Sequence, residues 1–126
     1  MPVENTLSSD VEKLVDQYIA VWNERDAAAR RNLIDSVFTE DCGHTDPNDA
    51  VKGRAAIAQL VETLQARFPD FTFMRLGPVN AHHQQALFGW RVGAPETKAA
   101  ATGTDFAIIV DGRIHQLHGF IDAPST

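Results

Sequence analysis

Asp46 stands immediately before Pro47, and a proline ring pushes its predecessor into extended or polyproline conformation. Cys42 to Asp46 therefore reads as a short strand. Its last carboxylate sits at the mouth of a turn that Asn48, Asp49 and Gly53 continue. A carboxylate at a strand end beside a pocket can take a proton from a carbon acid, provided no cation is paired with it. It is equally a turn-stabilising residue, and the local sequence leaves both readings open. Asp105 opens the apolar run Phe106-Ala107-Ile108-Ile109-Val110 and shares a strand face with Ala107 and Ile109. Facing a pocket, it would be driven toward its neutral form by desolvation; facing solvent, or paired with an arginine such as Arg91, it would be structural.

Three further side chains extend this set. Tyr18 lies on an apolar helical stripe, where a buried phenol seeks a hydrogen-bond partner. His118 shares a strand face with Ile114, Gln116, Phe120 and Asp122, where an imidazole can act as acid or base near neutrality, line a pocket or meet a second copy. Cys42, His44 and Asp46 alternate along one strand and point the same way. Their spacing is not that of a zinc site, and no metal is expected. His82-His83 adjoin a turn and are expected in solvent. Gly-rich phosphate loops, nucleophile elbows and paired cysteines are absent, so no cofactor is expected.

The elements that must hold these residues follow from periodicity. Ser9-Asp10-Val11-Glu12 has the form of a capping box. Val11, Leu14, Val15, Tyr18, Ile19 and Trp22 then form one helical stripe, broken at Asn23 to Asp26. A second helix turns Leu33, Ile34 and Val37 inward and Arg30 and Arg31 outward. A third, about 55–68, carries Ile57, Leu60, Val61, Leu64 and Phe68 on one face and stops at Pro69. The period then changes to two. Strands are predicted over about 71–81, 85–93, 102–110 and 113–122, with Ala86, Phe88, Trp90 and Val92 on one face. Asp111-Gly112 is a hairpin turn. Gly77, Gly89 and Gly93 mark bulges or bends. Helices, one short strand and a four-strand meander make an α+β domain, with helices on the concave face of a strongly curved antiparallel sheet and one pocket between them.

Composition narrows the classes of partner. The chain has 126 residues, 44% of them hydrophobic and 22% charged, which suits one globular domain over 1–126. A net charge of −6 and no basic patch disfavour nucleic acid. One cysteine, a polar N-terminus and no long apolar run predict a cytoplasmic protein without disulfides or a membrane partner. A sheet this apolar cannot be covered on both faces by three helices, so a homodimer through its outer face is expected, with Trp90 or Phe88 there.

Three segments, 18–26, 38–57 (Phe38-Thr39-Glu40-Asp41, Asp46-Pro47 and Gly53-Arg54-Ala55-Ala56-Ile57) and 105–114 (Asp105-Phe106, Asp111-Gly112-Arg113-Ile114), resemble the nuclear transport factor two-like superfamily. The resemblance spans about 9–122, and is to its SnoaL-like and ketosteroid-isomerase-like groups. It implies a cone-shaped fold. It also implies an oxyanion hole from Tyr18 and a protonated Asp105, as in the enzyme that is the standard example of a neutral buried carboxylic acid, and a proton-moving base at Asp46. In SnoaL-like cyclases an acidic residue matching Asp122 is associated with base function, and the last strand usually carries tryptophan where this chain has His118. The expected catalytic set is thus Asp46, Asp105, Tyr18, His118 and Asp122. Trp22, His44, Phe88, Gln116 and Phe120 are the expected pocket lining. The expected activity is cofactor-free acid–base chemistry on a small apolar carbonyl-type molecule, of isomerase, cyclase or dehydratase class. The alternative is a small-molecule-binding or interaction module of the same fold without chemistry.

Overall fold

The computed structural model describes residues 2–94 and 98–122, with side chains from Asp10 onward in the first helix. Helix α1 spans Pro2–Asn23, α2 Ala27–Val37 and α3 Arg54–Arg67. α1 begins before the Ser9–Glu12 capping box, whose Ser9 side chain lies outside the described ones. Pro2 occupies its first position, where a missing N–H leaves no helical hydrogen bond unmade. Val15, Tyr18 and Trp22 are buried along its stripe. Asp26 caps α2 by accepting a hydrogen bond from the Ala29 N–H at 2.9 Å. Arg30 is not outward as expected. It is buried, and donates to the Glu24 carbonyl and to Gln65 Oε1, both at 2.9 Å, which ties the α1–α2 loop to α3. The long guanidinium stem lets a charged residue occupy an inward position when acceptors are waiting.

The six strands are β1 Phe38–Thr45, β2 Ala50–Lys52, β3 Thr72–His82, β4 Gln85–Gly93, β5 Ala101–Val110 and β6 Arg113–Ile121, in the spatial order β2-β1-β6-β5-β4-β3. The meander β3 to β6 is antiparallel, as predicted. β1 is longer than expected and joins β6 in parallel, so the open, curled sheet is mixed at that one ladder. β2, expected as loop, pairs antiparallel with β1 because the turn at Asp46 sends the chain straight back. The Asp111-Gly112 hairpin forms with both residues at positive φ (52° and 77°), as a type I′ turn requires.

Irregularities decide which side chains face the helices. Gly77, at φ 70°, lies where the β3–β4 register shifts between Leu76 and Asn80. On β6, Ile108 pairs with Gln116 but Ile109 pairs with Ile114, so His115 is an extra, unpaired residue. This bulge reverses the alternation: Ile114, Leu117, Gly119 and Ile121 lie opposite the inward residues of β5, and Gln116, His118 and Phe120 opposite the outward ones. The core gathers α1, α2, α3 and this inner face around Val15, Ile34, Phe38, Ile57, Phe88 and Leu117. No helix among the described residues is long and apolar enough to cross a membrane.

Candidate functional site

Beyond that core, helices α1 and α3 and the concave sheet leave a cavity of about 420 Å³, a volume that suits a small organic molecule. Its walls are apolar: Trp22 and Ile19 from α1, Leu60 and Leu64 from α3, and Phe73 and Trp90 from the sheet. Besides Gln65 of α3, polar groups enter in two clusters, and no lysine or arginine is among the described residues lining it.

The deeper group is Asp105, Tyr18 and Trp90. Alternation along β5 turns Asp105 inward between Gly103 and Ala107, and it is 4% exposed. Trp90 Nε1 donates to Asp105 Oδ1 at 2.9 Å, and the Tyr18 hydroxyl is a second partner. Burial pushes the Asp105 carboxyl up to about 6. The hydrogen bonds of Trp90 and Tyr18 restrain that rise, and the charge of Asp46 adds to it. Burial and the Asp105 charge hold the Tyr18 phenol well above its ordinary range, so it remains an O–H donor. Its ring is fixed edge-on against Phe88, Phe38 and Trp22, with centroids 5.8–6.3 Å away.

The second group is Asp46 with His44, at the end of β1. Asp46 lies one residue beyond the strand, before Pro47. Its Oδ1 accepts from the backbone N–H groups of Asn48 and Asp49, each at 2.8 Å, and Oδ2 lies 2.9 Å from His44 Nε2. His44 is 3% exposed, and its ring lies 5.6 Å from that of Trp22; its Nδ1 is buried with no hydrogen-bond partner. The two carboxylates approach each other over Gly119. A Cβ there would stand 2.9 Å from Asp105 Oδ1 and 3.4 Å from Asp46 Cβ, so any side chain would fill the gap between them.

The cavity thus brings together Tyr18, Asp46, Asp105, Trp22 and His44 from the expected residues. Phe88 is buried beneath Tyr18 and does not line it. Gln116, His118 and Phe120 correct the expectation, because the bulge at His115 places them outside. His118 Nδ1 meets Thr45 Oγ1 at 2.9 Å and its ring stacks on Phe106, while Phe120 is 62% exposed. Asp122, past the end of β6, is exposed and accepts from Thr102 Oγ1 at 2.7 Å. Cys42 packs in the core rather than beside His44 and Asp46 in the cavity, and no group of three metal-binding side chains occurs among the described residues.

The sequence reading misses Trp90 as the donor to Asp105 and offers Trp90 or Phe88 for an outer-face interface; both point inward. The signal was present in Gly103, opposite Trp90 in the β4–β5 register. A Cβ at Gly103 would stand 2.3 Å from the Trp90 ring, so this glycine makes room for the indole. It also missed the His44–Asp46 hydrogen bond, although the two-residue spacing that was weighed as a metal site carries it equally well.

With this geometry in hand, likeness to known proteins can be placed. No curated protein matches the chain. Among solved structures, a candidate isomerase of the SnoaL-like family from Agrobacterium tumefaciens is 30% identical, with a TM-score of 0.86 over 91% of this chain and 99% of that one. A candidate ketosteroid isomerase from Kribbella flavida (16% identity, TM-score 0.72, covering 94% and 82%) shares the fold. So does a candidate polyketide cyclase from Sinorhizobium meliloti (21%, 0.70, covering 89% and 97%). The SnoaL-like domain family matches residues 15–117, which carry both carboxylates, the cavity lining except Gly119 and Ile121, and all three helices in whole or part; the chain belongs to the SnoaL-like family.

Proposed function

We propose that this protein is a cofactor-free acid–base enzyme acting on a small, largely apolar carbonyl compound, with isomerisation, dehydration or cyclisation as the reaction class. The observation that carries this reading is the meeting of an ionisable carboxylate, Asp46, and a buried, donor-bound carboxyl, Asp105, across Gly119 in one apolar cavity without a lining cation. Asp46 takes a proton from the carbon next to the carbonyl. The electron pair moves onto the carbonyl oxygen, where the Tyr18 hydroxyl and protonated Asp105 stabilise the developing charge. A carboxyl near 6 exchanges its proton close to neutrality. An apolar ligand that expels water from the cavity pushes it further toward the protonated form that donates. Neighbours named isomerase and polyketide cyclase agree with the class. The same reading includes a homodimer through the outer sheet face, where Met74, Leu76, Leu87 and Phe120 are exposed.

The test is Asp46→Asn, followed as deuterium uptake at the α-carbon of 2-tetralone in heavy water and as melting temperature. Exchange is expected to fall about a hundredfold or more, the scale of a lost general base. The Tm is expected to correspond to a change of about 1 kcal/mol or less, since Asn keeps an oxygen for the two backbone donors. A non-catalytic binding module is the second reading, favoured by the three hydrogen bonds already on Asp46. It predicts a large fall in Tm and no exchange by the unmodified protein.

A further inference from the structure

An ionised carboxylate has about four lone-pair sites, two on each oxygen. On Asp46, both sites of Oδ1 are taken by the backbone N–H groups of Asn48 and Asp49, and one site of Oδ2 is taken by His44. One acceptor site therefore remains, on Oδ2. We propose that His44 is the positioning residue of the site: as a neutral imidazole with its proton on Nε2, it orients Asp46 and leaves one lone pair of Oδ2 as the landing place for the substrate proton. This deepens the acid–base reading above and rests on it for its catalytic half.

The tautomer follows from the two nitrogens. A carboxylate only accepts, so the 2.9 Å contact requires a proton on Nε2. The buried Nδ1 has no partner. A second proton there would leave a charged donor unpaired beside the Trp22 ring, a worse arrangement than a bare neutral acceptor. A neutral partner also has a chemical consequence. An imidazolium would cancel the charge of Asp46, whereas a neutral N–H donor directs the carboxylate and leaves its charge in place. That charge is the one felt by Asp105 and Tyr18 across the cavity. In the reaction the substrate C–H bond breaks and an O–H bond forms at Oδ2. The electron pair of the broken bond becomes the enolate, its oxygen held by Tyr18 and Asp105. The negative charge thus crosses the cavity from Asp46 to the enolate oxygen, with His44 donating to Oδ2 before and after.

Two measurements test this on the full chain. Long-range proton–nitrogen NMR of isotope-labelled protein near neutrality is expected to show His44 neutral, with the proton on Nε2. An imidazolium, or a proton on Nδ1, would overturn the assignment. The second measurement is α-proton exchange of 2-tetralone by His44→Phe and His44→Gln. Phe fills the ring's space without a donor; Gln places an N–H the same number of bonds from the backbone and cannot be protonated. His44→Phe is expected to lose roughly tenfold to a hundredfold in kcat with little change in KM, the scale of a misdirected catalytic group. His44→Gln is expected to recover most of that loss. A purely packing role predicts the reverse order, Phe above Gln, and would sink the proposal. Should His44→Phe fail to fold, the Gln variant and the tautomer decide. If the unmodified protein leaves 2-tetralone unexchanged, the acid–base reading fails on that result, and the tautomer alone judges the orientation of Asp46.

Discussion

Asp105 draws its hydrogen bonds from side chains, Trp90 and Tyr18, in a place almost closed to water. Asp46 draws two of its three from backbone N–H groups, in a turn whose Asn48 and Asp49 are exposed. The groups are chemically identical and flank the same glycine. Backbone donors are neutral and fixed by the Pro47 turn, and they stabilise a carboxylate wherever it sits. Side-chain donors inside an apolar cavity hold a carboxyl whose charged form burial penalises. On the proposed acid–base reading, these different surroundings divide one functional group into a proton acceptor and a potential donor, the division that acid–base sites require.

The largest effect separating the two is a pH dependence of stability. Asp105 is raised to about 6 when folded, from 3.8. Between those values the folded protein holds a proton that the unfolded chain has released. Stability therefore falls as pH rises through this window, by up to about 3 kcal/mol once past the folded value. Asp105→Asn is expected to remove this slope and to be as stable as the parent, or more so, at pH 7. Denaturant titrations at pH 4, 5, 6 and 7 measure it. An unchanged slope in the variant would assign the ionisation elsewhere and erase the contrast with Asp46.

A second, smaller effect tests the side-chain donors. Trp90→Phe removes the N–H that favours the ionised form of Asp105. The loss is expected to be about 1–3 kcal/mol larger at pH 8, where the carboxylate needs the donor, than at pH 4.5, where the neutral acid does not. Lost indole packing is common to both conditions and cancels in the difference. Equal losses at the two pH values would mean that Trp90 contributes packing alone.

How much of this was readable beforehand follows the physics of each signal. The stripe from Val11 to Trp22, the change to a two-residue period after Pro69 and the Asp111-Gly112 turn are local patterns, and they predicted the elements and the strand face that Asp105 shares with Ala107 and Ile109, while leaving open whether that face meets a pocket or solvent. Strand phase is not local. His115 carries no turn chemistry, yet its extra residue moved Gln116, His118 and Phe120 out of the expected lining. The trace was the three-residue spacing of Ile114 and Leu117, impossible for one face of a regular strand. The parallel β1–β6 ladder and the His44–Asp46 bond depend on which strand becomes a neighbour and which rotamer survives packing, neither of which periodicity encodes. Hydrophobicity alone offers Trp90 or Phe88 to an interface, whereas the residue opposite Trp90, Gly103, explains the inward indole through space rather than composition.

The smallest effect joins the two carboxylates. The charge of Asp46 is the smaller of the two causes that raise Asp105, behind burial, and smaller also than the Trp90 and Tyr18 hydrogen bonds that oppose the rise. Asp46→Asn removes that charge while keeping the turn's acceptor oxygen, so Asp105 is expected to titrate at lower pH in the variant than in the parent. Ionised Asp105 then becomes less costly, and stability above pH 6 is expected to recover by about 0.5–1 kcal/mol relative to the same variant at pH 4.5, the low end of couplings between neighbouring groups. Following the Asp105 side-chain carboxyl by carbon NMR across this range reads the shift directly. The coupling also runs the other way: a proton landing on Asp46 lifts the repulsion on Asp105. An Asp105 titration that does not move in Asp46→Asn would mean that the two ends of the cavity ionise independently. It would then leave burial, opposed by the Trp90 and Tyr18 hydrogen bonds, as the whole account of how Asp105 holds its proton.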